Sequence, residues 1–518
     1  MIAPSAAALA AVPAPLRETL RREGSARLYL VGGFVRDAVL GRPTHDMDVA
    51  VAGEAQAVGR RLARELDGAL VPLDPERGTY RIALRTPIDG IEGIDLTQLR
   101  AGTIEDDLRL RDFTINALAV RLDAEPALLD PTHGLADLTA RRLRAASPRA
   151  FADDPLRLLR LVRFHVELGF DADEDTFNLA LAGAPALARS AAERRRDEFA
   201  RILASDEAYA GVRMLDRLGL LSLLLPELES CRGVEQPKEH YYDVFEHCLH
   251  TLKALALILA FDPEGDGRRA TLAERAPRTG ERALPDWLCG ETLPRLAQSG
   301  VPLARLYEPI AEQRPRSAIL KLAGLLHDVS KPETKTIDPR DARIRFFGHD
   351  HLGAERAAAA LRRLRFASKE VEYVALLVDQ HLRPGMLAAP GQPPMARALY
   401  RFARDLGDAA TDLFLLNLAD HAAAVGPGLT RAAWRLHVDY AAWVLRILYT
   451  DEQVARPPKL IDGHELMREL GLQPGPVVGR LLEAVREAQA AGEVRSREQA
   501  LALARRALTA EAAAAPQE

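Results

Sequence analysis

The sequence predicts an α+β protein, with a small mixed-sheet head followed by an all-α remainder. Two observations carry this reading. Residues from about 25 to 145 alternate short apolar runs (LYLVGG, DMDVAV, YRIALRT, GIDLTQL, INALAVRL) with helical stretches such as 55–66, the rhythm of strands exchanged with helices. Beyond Pro148 the strand signals vanish, and amphipathic segments rich in Leu, Ala and Arg run to the C-terminus, broken by Pro and Gly. At 518 residues the chain exceeds a single core, and the usual domain size predicts about three or four domains.

Composition narrows the class further. With 48% hydrophobic and 28% charged residues the chain is an ordinary globular protein, and no apolar run reaches the roughly 18–20 residues of a membrane helix. The Ala-rich start, APSAAALAAVPAP, has no basic residue before it and carries three prolines. It reads as a frayed cytoplasmic N-terminus and not as a secretory signal. Cys231, Cys248 and Cys289 share no metal-ligand spacing, and their odd number fits a reducing compartment. A net charge of −5 does not announce nucleic-acid binding, although global charge says little about a local patch. The segment 262–300, where charges, Gly and Pro interleave, reads as a surface insertion.

The head opens on residues 30–51, LVGGFVRDAVLGRPTHDMDVAV. Gly32 and Gly33 follow an apolar run and precede a helix-like segment, so backbone N–H groups can approach a triphosphate with no Cβ in the way, and Arg36 can reach its oxygens. Further on, residues i and i+2 of a strand share a face. Asp46 and Asp48 therefore present two carboxylates to Mg²⁺, a hard cation that keeps substrate phosphates as ligands. Asp95, in GIDLTQL, lies on a strand and offers a third carboxylate. Together these residues read as a metal-dependent nucleotidyl-transfer site.

Two further motifs follow. In RLRDFTINALAV, Asp112 is placed to accept from a ribose hydroxyl while Arg111 meets phosphate, and Asn116 joins the same helix. In DDPLRLLRLVRF, Pro155 stands where helices begin, and Arg157, Arg160 and Arg163 share a face at three-residue spacing, as a polyanion-facing helix would. Asp154 with Arg157 sets an acceptor beside a donor fork, an imitation of a partner base that selects a nucleotide without a template.

In this order the three motifs resemble the tRNA nucleotidyltransferase and poly(A) polymerase family with a DNA-polymerase-beta-like head. The resemblance implies triphosphate and metal contacts for Gly32, Gly33, Arg36, Asp37, Asp46 and Asp48. It implies nucleotide contacts for Arg111, Asp112 and Asn116, and base selection by Asp153, Asp154 and Arg157. Asp153 stands where Glu is frequent and Leu110 where a second Arg is usual. Only eight residues, 101–108, separate Arg100 from Arg109; this looks like the shortened loop of relatives that add CC and leave the final A to another enzyme.

The second half carries His247, the adjacent pair His327–Asp328, His349, His381 and Asp420. This set resembles the ligands of the HD phosphohydrolase superfamily, with Ser330 in place of the usual Gly. Mixed N/O ligands suit a divalent metal whose bound water attacks phosphate esters. Residues 461–504 resemble the family's tail segment, reading as two or three short helices around Gly471 that contact RNA or pack a homodimer.

The expected organisation is an N-terminal extension (1–24), a nucleotidyltransferase head (25–145), a helical neck (146–232), an HD domain (233–425) and a helical tail (426–518). The expected activity is addition of CC or CCA to the 3′ end of tRNA from CTP and ATP, with Mg²⁺ in the head and a divalent metal in the HD domain. A poly(A) polymerase, or an HD phosphohydrolase with an RNA-binding head, are the alternatives.

Overall fold

The computed structural model describes residues 4–122, 127–260, 284–285, 287–311, 314–387 and 394–514. They divide into two compact units, Met1–Glu198 with Met214–Leu223, and Phe199–Arg213 with Leu224–Glu518.

The first unit is built on a seven-stranded mixed sheet of β1 (Arg27–Val31), β2 (Asp46–Ala52), β3 (Gly68–Asp74), β4 (Thr79–Ile88), β5 (Ile91–Gln98), β6 (Ala119–Arg121) and β7 (Leu128–Leu129). The spatial order is β3-β4-β5-β2-β1-β6-β7. Only β2 and β5 run parallel; the other neighbours are antiparallel. The five apolar runs in the sequence are strands or contain one. β3 escaped notice because Pro72 and the exposed Val71 and Leu73 break any alternation. β1 is an interior strand, and Leu28, Leu30 and Val31 are all buried, which is why it reads as a continuous apolar run.

The N-terminus departs from expectation. Pro4–Ala10 and Ala14–Arg22 are helices, not a frayed tail, and Leu9, Val12, Leu16 and Leu20 are buried. Leu16 and Leu20, at i and i+4, are the apolar stripe of the second helix, hidden by the prolines around it. After the sheet, the helix Arg157–Leu168 ends on Gly169 at φ +67°, a left-handed cap.

The second unit is helical, apart from a hairpin of Lys335–Ile337 with Ile344–Phe346. Within the stretch read as a surface insertion, residues 261–283 lie outside the described residues. Trp287–Glu291 and Leu293–Gln298, however, are helices with Leu288, Leu293 and Leu296 buried, so that part belongs to the core. The tail helices Gly463–Leu470, Pro476–Ala490 and Arg497–Ala514 enclose their own apolar cluster around Leu466, Leu481 and Val485. Cys231 and Cys248 are buried and free, and the Cys289 side chain lies outside the described residues. No helix among the described residues is long and apolar enough to cross a membrane.

Candidate active site and metal centre

In the head, strand register assembles one charged face. Asp48 on β2 stands opposite Asp95 on β5, and Asp95 opposite Arg81 on β4; Asp46 shares the face at i−2. The helix Gly32–Val39 aims its first turn at this group, and the Phe34 N–H donates to Asp48 Oδ2 at 3.4 Å. Gly32 has φ +68°, and a Cβ there would lie 2.8 Å from Arg111 Nη1 and 3.3 Å from Asp48 Oδ2. Conformation therefore requires glycine here, and a Cβ would also have to displace the Arg111 guanidinium. Burial pushes the Asp48 carboxyl above its ordinary range, Arg111 pulls it down, and Asp95 adds to the rise. A half-buried carboxylate with one backbone hydrogen bond beside two more carboxylates fits a divalent cation.

Arg111 is half-buried near Asp48, with Asp107 and Asp112 also close; desolvation lowers its pKa and the carboxylates oppose this. Arg36 is already engaged. Its Nε and Nη2 meet Asp37 at 2.9 and 2.7 Å, its Nη1 meets Asn116 Oδ1 at 2.7 Å, and it lies over the Phe164 ring. Asp112 is equally committed. Its Oδ1 accepts from the Phe113 N–H and Asn116 Nδ2, and its Oδ2 from Arg160 Nε at 2.8 Å. Burial alone would raise its pKa, but the Arg160 charge and these hydrogen bonds hold it well below the usual carboxylate range. Both oxygens of Asp112, the residue the sequence suggested as ribose acceptor, thus have partners within the protein.

The three arginines of Arg157–Leu168 do not form a polyanion-facing row. Arg157 is buried and donates to the carbonyls of Leu110, Arg111 and Ala150 at 2.8, 3.2 and 3.2 Å. Arg163 is buried between Glu198 (2.7 Å) and Glu167 (3.0 Å). Only Arg160 stays partly exposed. The cause is that helix spacing aligns the three residues but does not say which face the fold covers. Asp153 pairs with Arg149 within its own turn, and Asp154 with Arg194 Nη2 at 3.0 Å. Arg81 was missed from sequence; it acts through a partner 14 residues away, which no local pattern reveals.

In the second unit all six residues singled out as ligands converge. His247 lies on Val244–Leu259, His327 ends Arg316–Leu326, His349 opens His349–Arg363, His381 follows Ser368–Gln380, and Asp420 sits on Ala410–Val425. His247 Nε2 is 3.0 Å from Asp420 Oδ1, 3.3 Å from Asp328 Oδ2 and 3.2 Å from His327 Nε2. His349 Nε2 lies 3.3 Å from Asp328 Oδ1 and 3.3 Å from His381 Nε2. The Nδ1 atoms of His327, His349 and His381 face the carbonyls of Gly324, Phe346 and Val378 at 2.9, 2.6 and 2.7 Å. A carbonyl fixes the proton on Nδ1 and leaves the Nε2 lone pair pointing inward. Burial disfavours protonating His327, yet Asp328 and Asp420 outweigh it and push its pKa up to about 10. Crowded inward lone pairs and buried carboxylates that attract positive charge so strongly fit a divalent metal. Lys331 Nζ stands 2.6 Å from Asp328 Oδ2. His240, not singled out from sequence, stacks edge-on against His247.

A mixed sheet bearing an Asp-x-Asp at a glycine-helix turn, followed by helices, defines a nucleotidyltransferase. Comparison with known proteins gives the family. Residues 28–144 match the Poly A polymerase head domain, 169–232 the RNA and SrmB- binding site of polymerase A, 301–424 the HD domain, and 435–504 the tRNA nucleotidyltransferase domain 2. The A-adding tRNA nucleotidyltransferase of Deinococcus radiodurans is 36% identical over 485 residues, covering 92% of this chain and 94% of that one. The CC-adding tRNA nucleotidyltransferase of Thermus thermophilus is 36% identical, covering 92% of each. The Thermotoga maritima CCA-adding enzyme complexed with tRNA_CCA, 19% identical, aligns over 97% of this chain and 98% of that chain with a TM-score of 0.57, a likeness of fold. The chain belongs to the tRNA nucleotidyltransferase and poly(A) polymerase family and carries an HD domain. It is an enzyme of the nucleotidyltransferase type, from families that depend on metal.

Proposed function

We propose that this enzyme adds the two C residues of the CCA end to tRNA from CTP, without a template, leaving the final A to another enzyme. The observation that carries the reading is the segment between β5 and the Arg111 motif. It holds no long loop: Ile104–Arg109 is a helix, N-capped by Thr103, whose Oγ1 accepts from the Asp106 N–H. The CC-adding relative supports the same reading. Addition of A alone is the second reading, favoured by the Deinococcus relative.

In this reading Asp46 and Asp48 hold Mg²⁺, with Asp95 beside them. The bound ion supplies Lewis-acid polarisation of the α-phosphate and acidifies the attacking hydroxyl. The chain's own residues do the rest. Gly32 and Gly33 let the backbone approach the polyphosphate, and Arg111 brings fixed positive charge to the same face. The linked set Arg36, Asp37, Asn116, Asp112 and Arg160 keeps the motifs rigid, and Asp153, Asp154 and Arg157 order the segment that selects the base. Arg163 anchors that helix through Glu198. His247, His327, Asp328, His349, His381 and Asp420 hold a divalent metal for phosphate-ester hydrolysis. The reading takes modules bounded at 25, 146, 233 and 426, in a cytoplasmic enzyme that dimerises through its tail.

A gel assay tests this with two tRNA transcripts, one lacking CCA and one ending in CC, given Mg²⁺ with CTP, ATP or both. The expected result is two C residues on the first and nothing on the second. A single A on the second alone favours the second reading. Three residues on the first defeats both, and a long A tail marks a poly(A) polymerase.

A further inference from the structure

Arg81 stands among the carboxylates of the head in a way that the proposed chemistry does not use. Its Nε and Nη2 meet Asp95 Oδ1 and Oδ2 at 2.7 and 2.9 Å, a bidentate pair. The same Nη2 lies 3.0 Å from Asp46 Oδ2. One guanidinium therefore clamps two of the three acidic side chains on the face, and Asp48 is the one it does not clamp. The geometry is built and not incidental. Arg81 faces Asp95 directly across β4 and β5, and Asp95 faces Asp48 across β5 and β2, so the sheet register delivers the charge to the centre of the cluster. Arg81 is 35% exposed and Asp46 49%, so the contact to Asp46 can open without unpacking the core.

A guanidinium never loses its charge in a protein. Held against Asp46 and Asp95, it neutralises part of the field that would attract a divalent ion, and it occupies the Asp46 oxygen that such an ion needs. Two cations on one carboxylate oxygen repel. Mg²⁺ dehydrates reluctantly and is usually held by one or two carboxylates together with substrate phosphates. With Asp46 half taken, the bare ion has Asp48 and little else; the ion bound to a nucleoside triphosphate brings its own phosphate ligands.

We infer that Arg81 is a resident counter-cation that competes with divalent metal for Asp46, so that the head takes up metal efficiently only together with the nucleoside triphosphate. Arg81 is a positioning residue in this account, acting through Asp46 and Asp95. The inference rests on the reading of Asp46 and Asp48 as metal carboxylates, and the controls separate the two.

The test is Mn²⁺ binding followed by electron paramagnetic resonance in the full chain, with His327→Ala and Asp328→Ala in every sample to remove the HD site. Without nucleotide, Arg81→Gln should bind Mn²⁺ about five- to tenfold more tightly than the Arg81 protein. With the α,β-methylene analogue of CTP present, the two should agree within about twofold. Arg81→Lys keeps the charge but cannot span both carboxylates, and should fall between them; it carries the test if Arg81→Gln does not fold. Unchanged or weaker nucleotide-free affinity in a folded Arg81 variant overturns the inference. Loss of head Mn²⁺ binding in Asp48→Asn is expected; retention there sinks the metal reading itself, whatever Arg81 does.

Discussion

Arg160 and Asp112 are joined by two hydrogen bonds to one oxygen. Arg160 Nε and Nη2 both converge on Asp112 Oδ2, at 2.8 and 2.5 Å. Since Oδ1 takes Asn116 and the Phe113 N–H, the pair ties the Arg157–Leu168 helix to the motif that carries Arg111. Removing one partner of a mostly buried pair leaves the other uncompensated. Asp112→Asn and Arg160→Met should each cost about 3 kcal/mol in denaturant unfolding, and the double variant should cost less than their sum. Strict additivity would mean that the pair is not coupled.

Arg194 holds Asp154 on an exposed edge, with Arg194 53% exposed. Arg194→Ala should cost under about 0.5 kcal/mol of stability, as surface changes do. The Asp154 carboxylate, freed from its partner, should shift the ratio of kcat/KM for CTP against ATP by about tenfold, roughly 1.4 kcal/mol. An unchanged ratio would remove Asp154 and Arg194 from base selection.

Gly32→Ala forces a side chain into φ +68° and against Arg111 and Asp48. The backbone strain is about 1–2 kcal/mol, within reach of a stable fold. CMP incorporation should fall more than a hundredfold while thermal unfolding moves only a few degrees. Equal loss of both would make Gly32 a folding residue alone.

Asp412 is buried beside Arg316, and burial, only partly offset by that arginine, pushes its carboxyl up to about 6 from 3.8. The folded state then binds the proton more tightly than the unfolded one. This group's contribution to stability is therefore largest below pH 4 and falls as pH rises from 3.8 to about 6. Asp412→Asn should flatten the dependence of unfolding free energy across that window by about 3 kcal/mol. An identical slope in both proteins would contradict the assignment.

The sequence was most legible where chemistry is local. Asp46 and Asp48 share a face because strands have period two, and the glycine turn sits next to them. The six HD-site residues were found only by resemblance, for they come from three helices and from the turns that end two more, and meet through packing that no spacing encodes. Arg157 and Arg163 show the opposite failure. Their spacing was read correctly, but burial turned them toward backbone carbonyls and Glu198, because a charged helix face can be covered when the fold supplies partners. β3 and the N-terminal helices were lost to prolines that mark turns in general and here mark strand edges and helix starts.

The most direct measurement is transfer of label from [α-³²P]CTP to a tRNA transcript lacking CCA, for the native enzyme, Asp48→Asn, and the double variant His327→Ala, Asp328→Ala. The native enzyme and the double variant should incorporate label, and Asp48→Asn should fall at least about a thousandfold. Incorporation by Asp48→Asn at the native rate would contradict it.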